Sequence, residues 1–253
     1  TRENYSRLGF VYEGVTTYYG DLFLVRSGVY SVDQFFMEIN ARLQKHFDNY
    51  GRFNLSVADS SFDTWLDGYG PGIPNRKTSI YDEGCLIALM TDILIRTKSK
   101  GQASLDEVMR TLYRDFGKRK IGYTESDYLS IVEKLSGESM ADFFMDYVYG
   151  TEDYEPLLSE SLSLAGCQLV KRSSTFDSEK YFGFKTILSE GKTLVKQVAP
   201  GSPADTAGLG KDEEIISVNE MKVSENIQDL LHMFAGEKII LTTYSPLQKM
   251  KDI

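Results

Sequence analysis

Few side chains in this 253-residue chain have the type and spacing to do chemistry by themselves. The two histidines, His46 and His232, lie in different segments. Neither has a second histidine four residues away, the spacing that puts two imidazoles on one helix face for a metal. The two cysteines, Cys85 and Cys167, exclude a disulfide scaffold and a four-cysteine zinc site. There is no Gly-x-Ser-x-Gly elbow, and no nucleophile motif sits beside either histidine, so a serine hydrolase finds no support. The 37 acidic residues offer many carboxylate pairs of the kind a glycosidase uses, but nothing singles out one pair.

Three places remain. Glu13 stands within Leu8–Leu22, a stretch rich in aromatics that reads as a mostly apolar turn. A carboxylate there is costly unless it is paired or bound to a metal. Taken alone, it reads as a helix-start residue or an ion-pair partner. Tyr81 opens a helical pattern, where an aromatic packing on the preceding loop is the plain reading. In the third place, Tyr181-Phe182-Gly183-Phe184, glycine permits a tight turn. Consecutive backbone N–H groups near Phe182–Phe184 would then converge as a nest for a carboxylate, beside a strand edge that can accept a peptide as an extra strand.

The elements that must position these residues come in two kinds. Residues 1–150 read as mostly helical. Ser31…Gln34, Ser104…Glu107 and Thr124…Asp127 open helices with capping signals. Apolar residues follow at helical spacing, as in Ile39, Leu43 and Phe47. Another helix is predicted over about Tyr81–Arg96, with Cys85 on its apolar side, and a last one over about Met140–Val148. Asp59–Ser79, with its glycines and prolines, reads as a loop carrying Asp63 and Trp65 toward a cleft or a packing contact. Gly150–Ser163 reads as a hinge. Beyond it come short β-rich runs at Gln168–Lys171, Tyr181–Ile187, Thr193–Val198, Glu214–Val218 and Lys238–Tyr244, with a helix at about Glu225–Phe234. His232 falls late in that helix and reads as structural or solvent-facing, and Cys167 as buried. No repeat or low-complexity tract is present.

Composition sets outer limits. Hydrophobic residues at 42% and charged residues at 26% describe a globular chain long enough for two cores. A net charge of −9 argues against gripping a nucleic-acid backbone. The longest apolar run, Cys85–Met90, is too short to span a bilayer. The opening Thr1-Arg2-Glu3-Asn4-Tyr5 has no initiator Met and no leader pattern, which leads us to expect a fragment of a longer protein.

Two resemblances add to this reading. Tyr181–Phe184, Val198–Leu209 (VAPGSPADTAGL) and Asp212–Asn219 (DEEIISVN) resemble, in that order, the carboxylate loop and following motifs of PDZ domains, over about residues 164–245. The segments TRENY (1–5), EGVTTYY (13–19), SFDTW (61–65), YDEG (81–84) and DILIR (92–96) resemble the glycyl aminopeptidases, gluzincin metallopeptidases that end in a PDZ domain. This second resemblance covers essentially the whole chain.

It implies a thermolysin-like zinc site in which Glu13 is the third ligand, Tyr81 is the oxyanion donor, and a His-Glu-x-x-His helix supplies two ligands and the general base. No such motif occurs here; the family places it just upstream. The chain departs from the family pattern at Val15, Gly20, Ile80 and Glu83, the last reversing a charge near the presumed site.

The fold expected is therefore multidomain α + β. A mainly helical part of a thermolysin-like peptidase occupies 1–158, and a PDZ domain of β-barrel-like form occupies 159–253. The function expected is the C-terminal part of a bacterial zinc aminopeptidase that removes small N-terminal residues, glycine or alanine. The alternative is a non-catalytic scaffold acting through its PDZ domain. Zinc belongs to the full-length enzyme; the fragment itself is expected to hold none and to be inactive. Partners are peptide substrates and a C-terminal peptide bound at Phe182, Gly183 and Phe184, with no nucleic acid and no membrane span. The compartment, cytoplasmic or periplasmic, is left open.

Overall fold

The computed structural model describes residues 3–67, 73–247 and 249–253. The chain divides into two compact units, Thr1–Leu169 and Val170–Ile253.

The first unit is helical. A π-helical turn, Phe10–Val15, runs directly into α1 (Thr16–Arg26). It is followed by α2 (Val32–Asp48), α3 (Val57–Phe62), α4 (Thr64–Asp67), α5 (Asp82–Lys98), α6 (Leu105–Asp115) and α7 (Glu125–Ser136). Next, α8 (Ala141–Phe143) continues as a π-helical turn over Phe144–Val148, and α9 (Tyr154–Leu164) closes the unit. Both predicted capping boxes form, at Ser31 and Ser104, and the helix start expected at Thr124 is a capping box too, each satisfying orphan N–H groups of a first turn. The hub is α5. Every residue from Glu83 to Asp92 is buried, as expected of a helix enclosed on all sides rather than lying on a surface. The π-turn, α1, α2, α7 and α9 pack around it.

Three expectations are corrected. The stretch around Glu13 is helical, not a turn. Gly150–Ser163 is no hinge: Asp153 caps α9, Pro156 falls in its first turn, where a missing N–H is tolerated, and Leu158 is fully buried. The boundary between units accordingly comes after Leu169 rather than after residue 158. The loop at Asp59–Ser79 contains the end of α3 and all of α4, while its glycine-proline centre, 68–72, lies outside the described residues.

The second unit is an antiparallel sheet with two short helices. The strands are β1 (Phe184–Ser189), β2 (Lys192–Val198), β3 (Glu214–Val218), β4 (Met221–Lys222), β5 (Leu241–Tyr244) and β6 (Met250–Asp252). Their order is β1-β2-β3-β5-β6, with β4 paired to β3. Between Ser189 and Lys192, Glu190 and Gly191 both take positive φ, 52° and 76°, the turn whose twist suits a two-residue hairpin. Two helices, α10 (Pro203–Thr206) and α11 (Ile227–Met233), help enclose a separate core around Val195, Val218 and Leu231. The run Gln168–Lys171 forms no strand. A helical unit followed by a six-stranded β unit bears out the α + β expectation at that level.

Candidate functional site

The π-turn that carries Glu13 is fixed to α5 by a glycine–glycine contact. A Cβ on Gly14 would lie 2.4 Å from the Gly84 backbone, and one on Gly84 would lie 2.7 Å from Gly14 Cα and 2.8 Å from the Phe10 carbonyl oxygen. No side chain fits at either position, so the two backbones meet directly. Gly14 follows Glu13, and Gly84 lies one turn after Tyr81, the N-cap of α5. The two candidate residues, 68 positions apart in sequence, are thereby carried on abutting turns.

Other motif residues secure the same turn. Ser61 Oγ accepts from the Phe10 N–H at 3.0 Å and donates to the Val57 carbonyl at 2.7 Å. The Tyr18 hydroxyl donates to Asp92 Oδ2 at 2.8 Å, while Asp92 Oδ1 accepts from Arg96 Nε at 3.1 Å and from the Leu105 N–H at 2.8 Å. Burial, reinforced by Asp92, pushes the Tyr18 phenol well above its ordinary range, so it stays a donor. Tyr19 does the same toward Asp106 at 2.7 Å.

Glu13 is half-buried, and its carboxylate makes no hydrogen bond or ion pair among the described residues. Only its backbone oxygen is engaged, by the hydroxyls of Thr16 and Thr17. A π-helical turn is a frequent mark of a functional position, because it redirects one side chain without ending the helix. Glu13 nevertheless stands alone as a metal donor. No three His, Cys, Asp or Glu side chains come together in a metal-binding arrangement among the described residues.

The start of α5 is held from the other side by α2. Arg42 bonds Asp21 at 2.7 Å and Asp82 at 3.1 Å, and Lys45 reaches Asp82 at 3.3 Å. His46 Nδ1 lies 2.7 Å from Glu83 Oε2, with both side chains at most 1% exposed. This corrects the expectation for Glu83, whose charge is turned into the core against an imidazole rather than toward a substrate. By motif, position 83 is a departure and His46 an isolated histidine, and neither motif carries their pairing. The signal was there in α2, where His46 falls on the same stripe as Ile39 and Leu43.

A cavity of about 610 Å³ opens beside the turn that carries Glu13, lined by Tyr12, Trp65, Met109, Tyr113, Phe116 and Tyr123 among others. Trp65 thus does line a cleft, while Asp63 pairs with Arg76. Cys85 is fully buried, which pushes its thiol up to about 12; Cys167 is only half-buried.

In the β unit, Ser178–Phe182 is a π-helical turn that ends at Gly183 with φ +77°. A Cβ there would strike Ser202 at 2.3 Å. The predicted nest differs in one respect: the Gly183 N–H already donates to the Ser178 carbonyl. Phe184 is buried in the core and Phe182 is half-buried beside it, with ring centroids 6.4 Å apart. β1 is an edge strand. A cavity of about 320 Å³ opens among Thr186, Leu188, Ser178, Ile227 and Gln228. Gln228 of α11 ties this helix to the loop, donating to Ser178 Oγ at 2.9 Å. His232 is 81% exposed and pairs with Asp177, so it faces solvent as expected.

No helix among the described residues is long and apolar enough to cross a membrane. No curated protein matches the chain. Among solved structures, the chain is similar to an aminopeptidase N family protein from Idiomarina loihiensis, with a TM-score of 0.88 and 26% identity. That similarity covers 99% of this chain and 45% of the other, so the chain spans less than half of that protein. The family model of the M61 glycyl aminopeptidases matches residues 1–87. These residues include Glu13, Gly14, Tyr81 and Gly84, and the resemblance to the M61 glycyl aminopeptidases read from the motifs holds.

Proposed function

We propose that this chain works as the C-terminal part of a zinc-dependent aminopeptidase that removes small residues, glycine or alanine, from peptide amino termini. The observation that carries the reading is an unpartnered carboxylate, Glu13, on a π-turn locked backbone-to-backbone against the helix opened by Tyr81. Both residues lie in the family-matched segment. A tetrahedral zinc takes four donors, and these residues supply one. The chain alone therefore does not fit a tightly held zinc, and no step is drawn through the metal. In the longer protein Glu13 would be one ligand of the zinc, which when bound would supply Lewis-acid activation of water. Tyr81 donates its hydroxyl to the oxygen that gains charge as the peptide carbonyl is attacked. Residues 170–253 serve as a PDZ-type module, with Phe182, Gly183 and Phe184 at the peptide's carboxyl end.

The test uses the longer gene product with glycine and alanine p-nitroanilides, with and without chelator. Glu13→Gln abolishes zinc retention and activity. Tyr81→Phe keeps the metal and lowers kcat by about a hundredfold, the effect of one lost oxyanion donor. An unaltered rate rejects the role of Tyr81, and unaltered zinc content in Glu13→Gln rejects that of Glu13. One zinc per purified chain of the present 253 residues would also overturn the reading.

A second reading, a scaffold acting through peptide binding alone, is favoured by the edge strand β1 and the cavity beside α11. It predicts micromolar capture of C-terminal peptides by a longer protein that lacks peptidase activity. Activity at the nitroanilides excludes it.

A further inference from the structure

We propose that His46, acting through Glu83, is a positioning residue for Tyr81; this deepens the aminopeptidase reading and rests on it. The first turn of α5 is gripped by one face of α2. Arg42, Lys45 and His46, spaced three and four residues apart on that helix, bind Asp82 and Glu83, the two residues that directly follow Tyr81. Arg42 and Lys45 act at a partly wet edge. His46 and Glu83 are sealed within the core, at 0% and 1% exposure.

Two features of the sealed pair mark it as more than packing. The imidazole is over-determined: it stacks on Tyr154, with centroids 4.9 Å apart and planes at 23°, and meets the edge of Phe47. Its Nε2 is buried without a hydrogen-bond partner among the described residues. The tautomer with the smaller penalty carries its proton on Nδ1 and donates to Glu83 Oε2, since a proton on Nε2 would be an orphaned buried donor. An apolar pair of similar volume would avoid that orphan and the desolvation of two polar groups, and such exchanges are often neutral or stabilising. What an apolar pair cannot supply is a directed 2.7 Å bond that fixes the rotation of the first α5 turn. The glycine–glycine contact fixes the distance of this turn from the Glu13 turn; the His46–Glu83 bond fixes its orientation. Both are needed to hold a hydroxyl within the few tenths of an ångström that transition-state donation requires.

The test is kinetic, in the longer zinc-loaded enzyme with alanine p-nitroanilide. The double variant His46→Leu/Glu83→Met keeps the urea midpoint close to the parent, the zinc content, and KM within about twofold, while kcat falls about tenfold or more. His46→Asn places an amide N–H where Nδ1–H was and recovers most of kcat. His46→Gln displaces that donor and does not. Combined with Tyr81→Phe, none of the His46 variants lowers kcat further, because groups that act as a unit are non-additive. Equal kcat in the Asn and Gln variants overturns the proposal even if the apolar pair fails to fold. So does a loss that multiplies with that of Tyr81→Phe. If Tyr81→Phe is itself as fast as the parent, the reading of Tyr81 fails and this proposal with it. A slow Tyr81→Phe beside fast His46→Leu/Glu83→Met overturns the positioning role alone.

Discussion

The two histidines make nearly the same bond in opposite surroundings. In the helical unit, His46 Nδ1 meets Glu83 at 2.7 Å with the imidazole fully buried; in the β unit, His232 Nδ1 meets Asp177 at 2.8 Å with the imidazole 81% exposed. Distance alone would rank them as equals. Surroundings separate them, because in the core neither partner has water to fall back on, whereas on the surface each does. What a polar pair is worth is thus set by what remains when one half is removed.

The sharpest way to break this comparison is to remove one partner of each pair. Glu83→Ala leaves His46 buried with both ring nitrogens unpartnered and destabilises the helical unit by about 3–5 kcal/mol, the usual loss when a buried pair is split. Urea unfolding followed by fluorescence of Trp65, the chain's single tryptophan, isolates that unit, since Trp65 lies in it. A loss below about 1 kcal/mol would show that water reaches the site and that the two pairs are equivalent after all.

A smaller effect separates the units by pH. The helical unit buries phenols and a thiol, and burial is the leading cause that raises each of them. The Cys85 thiol is pushed up to about 12, the half-buried Tyr149 to about 12 with Glu125 adding to it, and Tyr18, Tyr19 and Tyr128 also move upward. The β unit buries neither a cysteine nor a tyrosine. For groups whose folded value is raised, the stabilising contribution is complete below the unfolded value, and it is lost as pH climbs toward the folded one. The helical unit therefore weakens progressively from about pH 9 toward 12, with thiols and phenols in the unfolded chain ionising near 8.5 and 10. Hydrogen exchange read from peptides of each unit checks this: protection in α5 and α7 drops first, and that of β2 and β3 persists. Simultaneous loss would mean that the two units do not respond separately.

How much of this was legible in the sequence depended on how local the cause was. The helix starts at Ser31, Ser104 and Thr124 are each set within four residues, and they are legible in the sequence, the first two as capping boxes, as are β2, β3 and the helix containing His232. The helix from Phe10 to Arg26 was not, because Gly14, Val15, Thr16, Thr17 and Gly20 are poor helix formers. Its stability comes from contact with α5, and no window of the sequence contains that contact. α9 was hidden by Pro156 and its acidic neighbours, harmless only because they fall in a first turn. The candidate site divides in the same way. Glu13 and Tyr81 were visible as motif residues, and Gly14 and Gly84 as part of the same patterns. The pairing of His46 with Glu83 spans 37 positions and follows from the packing of α2 on α5.

The smallest expected effect is the most discriminating about the β unit. His232→Ala removes an exposed imidazole from Asp177, whose side chain is 14% exposed. Asp177 stands at the N-cap of the π-turn Ser178–Phe182 without a side-chain capping bond, and the N–H groups of Ser178, Glu179 and Lys180 are taken by Gln228 and the Phe176 carbonyl. The bond to His232 then adds little: stability falls by about 1 kcal/mol or less, and raising the salt from 0.05 M to about 1 M, where the Debye length shrinks to about 3 Å, narrows even that difference. Asp177→Ala should cost more than His232→Ala, because it removes the packing of a largely buried side chain together with the ion pair. If the two variants lose equal stability and salt leaves both losses unchanged, the imidazole is a structural member of the loop. The exposed pair would then belong with the buried one, and exposure would not be what separates them.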